Sequence, residues 1–239
     1  MHSLEYAKDR LQGRKASEKN PESPQVPIID HADVRRMLLA QKAYSEGGLA
    51  LCLYGARLMD DQHTHPDDQK RMEAGKLLDL LTPVIKAWPS EYGPKANDLA
   101  IQVYGGAGYT REYPVEQCWR DNRLNPIHEG TNGIQALDLL GRKIWQDQSH
   151  GLQLLMQEMQ ADLQAATTER CQQWALSLSE TLQQAVKVTQ SLGKSLMGGE
   201  VDKTLANASC YLHLFGHIIV SWMWLRQANA AANALASAN

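Results

Sequence analysis

Alternation of Val, Ile and Thr is scarce in this chain of 239 residues, while Ala, Leu, Gln and Met abound. That scarcity argues against a sheet-built fold, because a half-buried strand needs apolar residues at every second position. The four cysteines, Cys52, Cys118, Cys171 and Cys210, are scattered and form no CxxC pair. The pattern disfavours a zinc site or a disulfide framework and fits a reducing compartment, so a cytoplasmic location and no metal are expected. Basic blocks of nucleic-acid type are also missing, and the formal net charge is -3; no nucleic-acid partner is expected. Residues 1 to 20 carry too much charge for a signal peptide. The most apolar run, Tyr211 to Leu225, contains His213, Gly216 and His217. It falls short of the roughly 20 apolar residues of a membrane span, reads as a buried helix, and leaves no membrane span expected.

Helical periodicity fills the space left by strands. Leu4 to Gln12 looks like the end of a helix that began earlier. Residues 16 to 30, with Pro21, Pro24 and Pro27, form a loop. His31-Ala-Asp33 opens a long helix on which Val34, Met37, Leu38, Gln41, Tyr44, Leu49 and Leu53 recur at helical spacing. Asp60 to Asp68 reads as a second loop. A helix follows from about Pro66 to Trp88, its second half crowded with Leu77, Leu78, Leu80, Leu81, Val84 and Ile85. Pro89 to Pro94 is expected to interrupt it before Lys95 to Tyr104 resumes. Pro114 fits the first turn of a short helix through Arg120, and Glu129 to Trp145 reads as the next helix. The expected class is all-α, with an antiparallel helical bundle over residues 1–146. An additional helical region, residues 147–239, follows: Leu152 to Ala185 helical, Ser191 to Glu200 a glycine-containing loop, and Leu205 to Ala236 a long helix.

The chemistry concentrates between Ile101 and Gln135. Gly105-Gly106-Ala107-Gly108 lacks the preceding strand of a dinucleotide fingerprint. It reads either as a helix C-terminus closing through left-handed glycines or as a place where a phosphate or adenine approaches the backbone. Glu129 stands at the mouth of a helix on Gly130-Thr131-Asn132-Gly133. It is either an acidic residue favoured there by the helix dipole or a proton acceptor. Arg120-Asp121 and Arg123 read as a structural charge network. His213 and His217, at i and i+4, have no evident third ligand and read as buried or interface histidines.

Several of these segments carry a family resemblance. Tyr6-Ala-Lys-Asp-Arg10-Leu-Gln-Gly13-Arg, Gln102-Val-Tyr-Gly-Gly106, Gly108-Tyr109, Glu112-Tyr-Pro-Val-Glu116, Arg120-Asp121 and Glu129-Gly-Thr131 with Gln135 resemble the C-terminal helical domain of the flavin-dependent acyl-CoA dehydrogenases. The resemblance runs from about residue 1 to 145. Pro27-Ile-Ile-Asp-His31, Asp33-Val-Arg-Arg-Met-Leu38 and the extra region after Trp145 resemble the long subgroup of 3-methylmercaptopropionyl-CoA dehydrogenase type. The resemblance implies that Glu129 is the base taking the α-proton of an acyl-CoA, with FAD accepting the β-hydride to give a trans-2-enoyl-CoA. It implies FAD contacts from Arg10, Gln102, Val103, Tyr104, Gly105 and Gly106 toward a neighbouring subunit's flavin, and from Thr131 and Gly133 toward the subunit's own. Gly130 would lie beside the substrate. A homo-oligomer and an electron-transfer flavoprotein or similar acceptor are implied as well.

This chain departs from the family pattern at three points. No aromatic precedes Gly13, His128 stands where many relatives have Tyr before the base, and His31-Ala32 replaces a frequent His-Gln pair. Nothing here resembles the family's N-terminal helical and middle β domains, so the chain looks like a C-terminal piece expected to be inactive alone. The alternative reading is a non-catalytic helical assembly module derived from the same family; retention of Glu129 with its Gly-Thr turn favours the enzyme.

Overall fold

A computed structural model describes residues 2–237. Its helices are α1 (His2–Asp9), α2 (Ala32–Thr64), α3 (Asp68–Tyr104), α4 (Val115–Asn122), α5 (Asn132–Asp138), α6 (Gln146–Gln164), α7 (Glu169–Met197), α8 (Val201–Leu205) and α9 (Ala208–Ser237). Short 3₁₀ turns cover Ile28–Asp30 and Gly105–Tyr109, and a π turn covers Leu139–Lys143. Extended pairing among the described residues is confined to one isolated bridge between Leu11 and Pro27. The all-α class read from the sequence is the class observed.

Several boundaries differ from the sequence reading. Leu152 to Ala185, expected to be helical throughout, is broken between the end of α6 at Gln164 and the start of α7 at Glu169, where Thr168 caps α7 by accepting from the Cys171 amide. Three further differences follow from packing and capping. The expected break at Pro89 to Pro94 is absent, and α3 runs unbroken for 37 residues through Pro83, Pro89 and Pro94. Each proline removes one backbone hydrogen bond, but Leu80, Leu81, Val84, Ala87, Trp88 and Tyr92 are all buried, and that packing holds the helix together. The loop expected from Asp60 shrinks to residues 65–67. Thr64 back-bonds to the Asp60 carbonyl at 2.8 Å, and the Asp67 carboxylate accepts from the Gln69 amide at 2.8 Å to start α3. The loop expected over Ser191 to Glu200 is mostly helix, because α7 continues to Met197. Gly193 belongs inside it: a Cβ there would stand 2.8 Å from the Trp145 ring, so the glycine makes room for an indole instead of breaking the helix.

The chain forms two compact units. The first comprises the chain up to Glu46 with Pro89–His128. Its core gathers Ala7, Ile28, Met37 and Val103 in one cluster and Ala100, Tyr104 and Val115 in another. Tyr6 and Tyr104 stack at 4.1 Å, with Tyr113 tilted against Tyr104 at 5.1 Å. The second unit comprises Gly47–Trp88 and the chain from Glu129 on. Here α9 packs on α5, α6 and α7, and its core includes Leu51, Leu58, Leu81, Leu140, Ile144, Met159 and Trp222. Lys143, buried on the π turn, pairs with Asp79 of α3, so this charge is neutralised where it lies. Among the described residues α9 is the one helix long and apolar enough to cross a membrane, but 61% of its most apolar window is buried. Directly after residue 146, Asp147, Gln148 and Ser149 adopt left-handed backbone with φ of 49°, 56° and 63°.

Candidate active site

In the second unit the candidate base is set by a tight local construction. Glu129 and Gly130 both have positive φ, 53° and 86°. They turn the chain immediately before α5. The expected helix from Glu129 therefore begins three residues later, at Asn132. Thr131 is its N-cap, its hydroxyl oxygen accepting from the Ile134 amide at 3.3 Å. A non-glycine residue in the left-handed region is strained by roughly 1–3 kcal/mol and persists only where neighbours fix it. Two neighbours are evident. The Lys86 ammonium, on α3, donates to the Gly130 carbonyl at 2.7 Å. The Gln135 amide reaches the Glu129 carbonyl at 3.5 Å, a long contact that adds little. A Cβ on Gly130 would stand 2.9 Å from that same Gln135 amide, the end of a side chain that can swing aside, so it is the φ of 86° that favours glycine here. The Glu129 residue itself is exposed. Ile134, which follows it, is a large apolar residue left exposed, as is Leu137.

Lys86 is the residue the sequence reading missed. It sits among Val84, Ile85, Ala87 and Trp88, and a cation in so apolar a run was the available signal. Its acceptor lies 44 residues further on, which no local pattern reveals.

In the first unit lie the remaining predicted positions. Gln102 is exposed near the end of α3, whereas the side chains of Val103 and Tyr104 are buried in the core. The Tyr104 hydroxyl donates to the His2 carbonyl at 3.2 Å, and burial pushes its phenol pKa up. These two residues therefore offer a ligand only their backbone. The glycines divide their work. Gly105 takes φ of 61°, and added Cβ atoms on Gly105 and Gly106 would meet nothing within 4 Å. A Cβ on Gly108 would stand 2.8 Å from the Ile101 carbonyl, so that glycine serves close packing of the turn on α3. Arg10 is exposed just past α1, its carbonyl accepting from Ile28 at 2.8 Å. Arg120 pairs with Glu116 at 2.9 Å and approaches Asp121 at 4.0 Å, an exposed network of small energetic worth. Leu124 and Ile127, which precede the base in sequence, are exposed as well. The predicted positions thus fall into two local groups, Arg10 with Gln102–Gly106 in the first unit and Glu129, Gly130, Thr131 and Gly133 in the second. Among the described residues no group of three or more His, Cys, Asp or Glu side chains could hold a metal ion.

Comparison with known proteins identifies the family. Residues 2–145 match the model described as acyl-CoA dehydrogenase, C-terminal domain, and residues 155–239 match acetyl-CoA dehydrogenase C-terminal like. The chain is 32% identical over 241 residues to 3-methylmercaptopropionyl-CoA dehydrogenase of Ruegeria pomeroyi, covering 98% of this chain and 40% of that protein. It is 34% identical over 245 residues to the broad-specificity linear acyl-CoA dehydrogenase FadE5 of Mycobacterium tuberculosis, with the same coverage of each. The chain thus spans about 40% of the length of these curated relatives. Among solved structures, Caenorhabditis elegans ACDH-11 in complex with C11-CoA superposes with a TM-score of 0.75 at 18% identity, over 95% of this chain and 36% of that one. An acyl-CoA dehydrogenase complexed with FAD from Bacillus anthracis gives 0.59 at 18% identity, over 96% and 38%. With a family model matching more than half of its length and a relative above 30% identity across nearly all of it, the chain belongs to the acyl-CoA dehydrogenase family.

Proposed function

We propose that this chain is the base-bearing helical part of an FAD-dependent acyl-CoA dehydrogenase, in which Glu129 removes the α-proton of an acyl-CoA thioester. The observation that carries the reading is the Glu129–Gly130 turn. It projects a carboxylate from a strained backbone that a cap, a cation and a left-handed glycine hold in place, a construction that an ordinary solvated glutamate does not need. The exposed Ile134 and Leu137 beside it suit contact with an acyl chain or with a covering domain. The α-proton goes to the Glu129 carboxylate, and the resulting enolate-like charge is spread over the thioester.

The residues present fit FAD. The open backbone at Gly105 and Gly106 lets a diphosphate approach the amides closely, and exposed Arg10 supplies a cation. Gln102, with the backbone of Val103 and Tyr104, would complete this contact. Thr131, whose oxygen is already an acceptor within its cap, keeps its hydroxyl proton to donate to the cofactor, and Gly133 lets the flavin approach α5. When bound, FAD supplies the acceptor for the β-hydride, so that the product is the trans-2-enoyl thioester.

The reading extends to assembly. The family resemblance implies a flavin shared between subunits, hence a homo-oligomer, with an electron-transfer flavoprotein or similar acceptor reoxidising it. The unpaired cysteines, three of them exposed, support a reducing, cytoplasmic setting. By family match the chain divides near residue 146 into a part of acyl-CoA dehydrogenase type and an extra helical region, a division supported by the left-handed residues Asp147–Ser149, while the second compact unit packs helices from both sides of that boundary. The substrate pocket also needs the family's N-terminal and middle domains, in the same polypeptide or in another.

The test is reconstitution. Residues 1–239 alone are expected to hold FAD weakly and to turn over no acyl-CoA; supplying the N-terminal and middle domains restores both. In the restored enzyme Glu129→Gln keeps FAD and substrate but abolishes flavin reduction in a single turnover. Reduction at near the unmutated rate would place the base elsewhere.

A further inference from the structure

The helices α6, α7 and α9 enclose a cavity of about 430 Å³ that the chemistry proposed for Glu129 does not use. The cavity is elongated along the helices. Its lining runs from Ser149 to Met159 on α6 and from Leu182 to Gln190 on α7, which at 1.5 Å per residue is roughly 15 Å and 12 Å of helix. Its deep wall is apolar, with Leu155, Met159 and Ile219 essentially inaccessible from outside. The one deep hydroxyl, on Thr189, donates to the Ala185 carbonyl at 2.8 Å and lies 2.8 Å from the Tyr211 hydroxyl. It is thereby satisfied, and a water inside would find fewer than the two to four polar partners it needs. The cavity is therefore built for hydrocarbon.

Its polar lining lies at one side. Gln153 and Gln190 are exposed and Ser149 is half-buried, which marks a mouth. No acidic residue lines the cavity. Lys187 and Lys194, both exposed, stand three residues before and four after Gln190, on the same face of α7. A long apolar trench with amides and two lysines at its mouth matches a chain with an anionic head. We infer that this cavity binds an unbranched fatty acid, its hydrocarbon along α6 and α7 and its carboxylate at the Gln153–Gln190 mouth. The inference stands apart from the role proposed for Glu129 and holds or fails without it.

The test uses the whole chain and sodium decanoate below its micelle concentration, followed by calorimetry. Saturable one-to-one binding is expected, weakening about fourfold for each methylene removed from the acid. Ala185→Phe, which fills the trench, is expected to abolish binding. Lys187→Glu with Lys194→Glu is expected to weaken decanoate about tenfold while leaving decanol unchanged, because only the head loses its partners. In the unmutated protein, decanoate should shift the Met156 and Met159 methyl resonances, a readout that survives if Ala185→Phe fails to fold. Absence of saturable binding, unaltered Met156 and Met159 resonances, or decanoate binding that ignores the lysine changes would each overturn the assignment.

Discussion

Replacing Lys86 by Met should loosen the turn that carries Glu129 without emptying any core. The methionine keeps most of the aliphatic stem and removes only the ammonium, which donates to the Gly130 carbonyl at 2.7 Å. A hydrogen bond from a charged donor contributes about 1.5–3 kcal/mol to stability. Lys86 is half-buried, and Gly130 is partly accessible, so water replaces some of the loss; about 1–2 kcal/mol is the expected destabilisation. For a chain of this size that lowers the melting temperature by about 2–8 °C, read by far-UV circular dichroism. The control is Lys70→Met. Lys70 makes an exposed ion pair with Glu73 at 3.0 Å, a contact of about 0.2–0.5 kcal/mol. In the reconstituted enzyme Lys86→Met should also lower turnover, by up to about a hundredfold, because a misplaced base loses orientation, while FAD content stays unchanged. If Lys86→Met melts with Lys70→Met and turns over like the unmutated enzyme, the anchoring role assigned to Lys86 is wrong.

Three smaller perturbations probe the surrounding structure. Thr131→Ala removes the α5 cap and should cost about 1 kcal/mol in urea unfolding, whereas Thr131→Ser should be nearly neutral. Burial pushes the Tyr211 phenol up to about 12, above the value of about 10 it has when unfolded. The folded state therefore holds this proton more tightly, and the associated stability is intact below about pH 10 and lost as the pH rises toward 12; alkaline unfolding of Tyr211→Phe should be shallower over that window. Gln148→Gly relieves a left-handed residue, worth roughly 1–2 kcal/mol less the entropy a glycine adds to the unfolded chain, and should raise the melting temperature; a lowered one would mean that the turn is not strained.

What the sequence made legible was local. Helical periodicity from Val34 to Leu53 identified α2, and the Gly130-Thr131 pair located the start of α5 to within three residues. The failures came where distant packing outweighs a local rule. Pro89 and Pro94 are helix breakers in isolation, yet buried Trp88 and Tyr92 beside them commit the segment to helix. Gly193 reads as loop until the Trp145 ring, 48 residues earlier in the chain, is seen occupying the space of its absent side chain. The Lys86 anchor was hidden for the same reason, since its acceptor is a backbone carbonyl, which carries no sequence signal at all.

The candidate site divides along the same line. The contacts described for the Glu129 turn, left-handed backbone, a threonine cap and one lysine, lie within the second compact unit. The motif expected to meet FAD, Gln102–Gly106, lies in the first unit, where two of its three side chains serve the core: Val103 and Tyr104 are buried, and only the glycine backbone and Gln102 are open. A motif that presents mainly backbone constrains its ligand by shape and hydrogen bonding rather than by side-chain chemistry. It therefore explains how one glycine-rich turn can serve a cofactor while saying little about substrate. On the reading proposed for Glu129, substrate choice would instead reside in what surrounds it, including His128 and the exposed Ile134 and Leu137. Exchanging these three, with Glu129 and the glycine turn untouched, is the change that should alter acyl-chain preference while leaving flavin affinity in place.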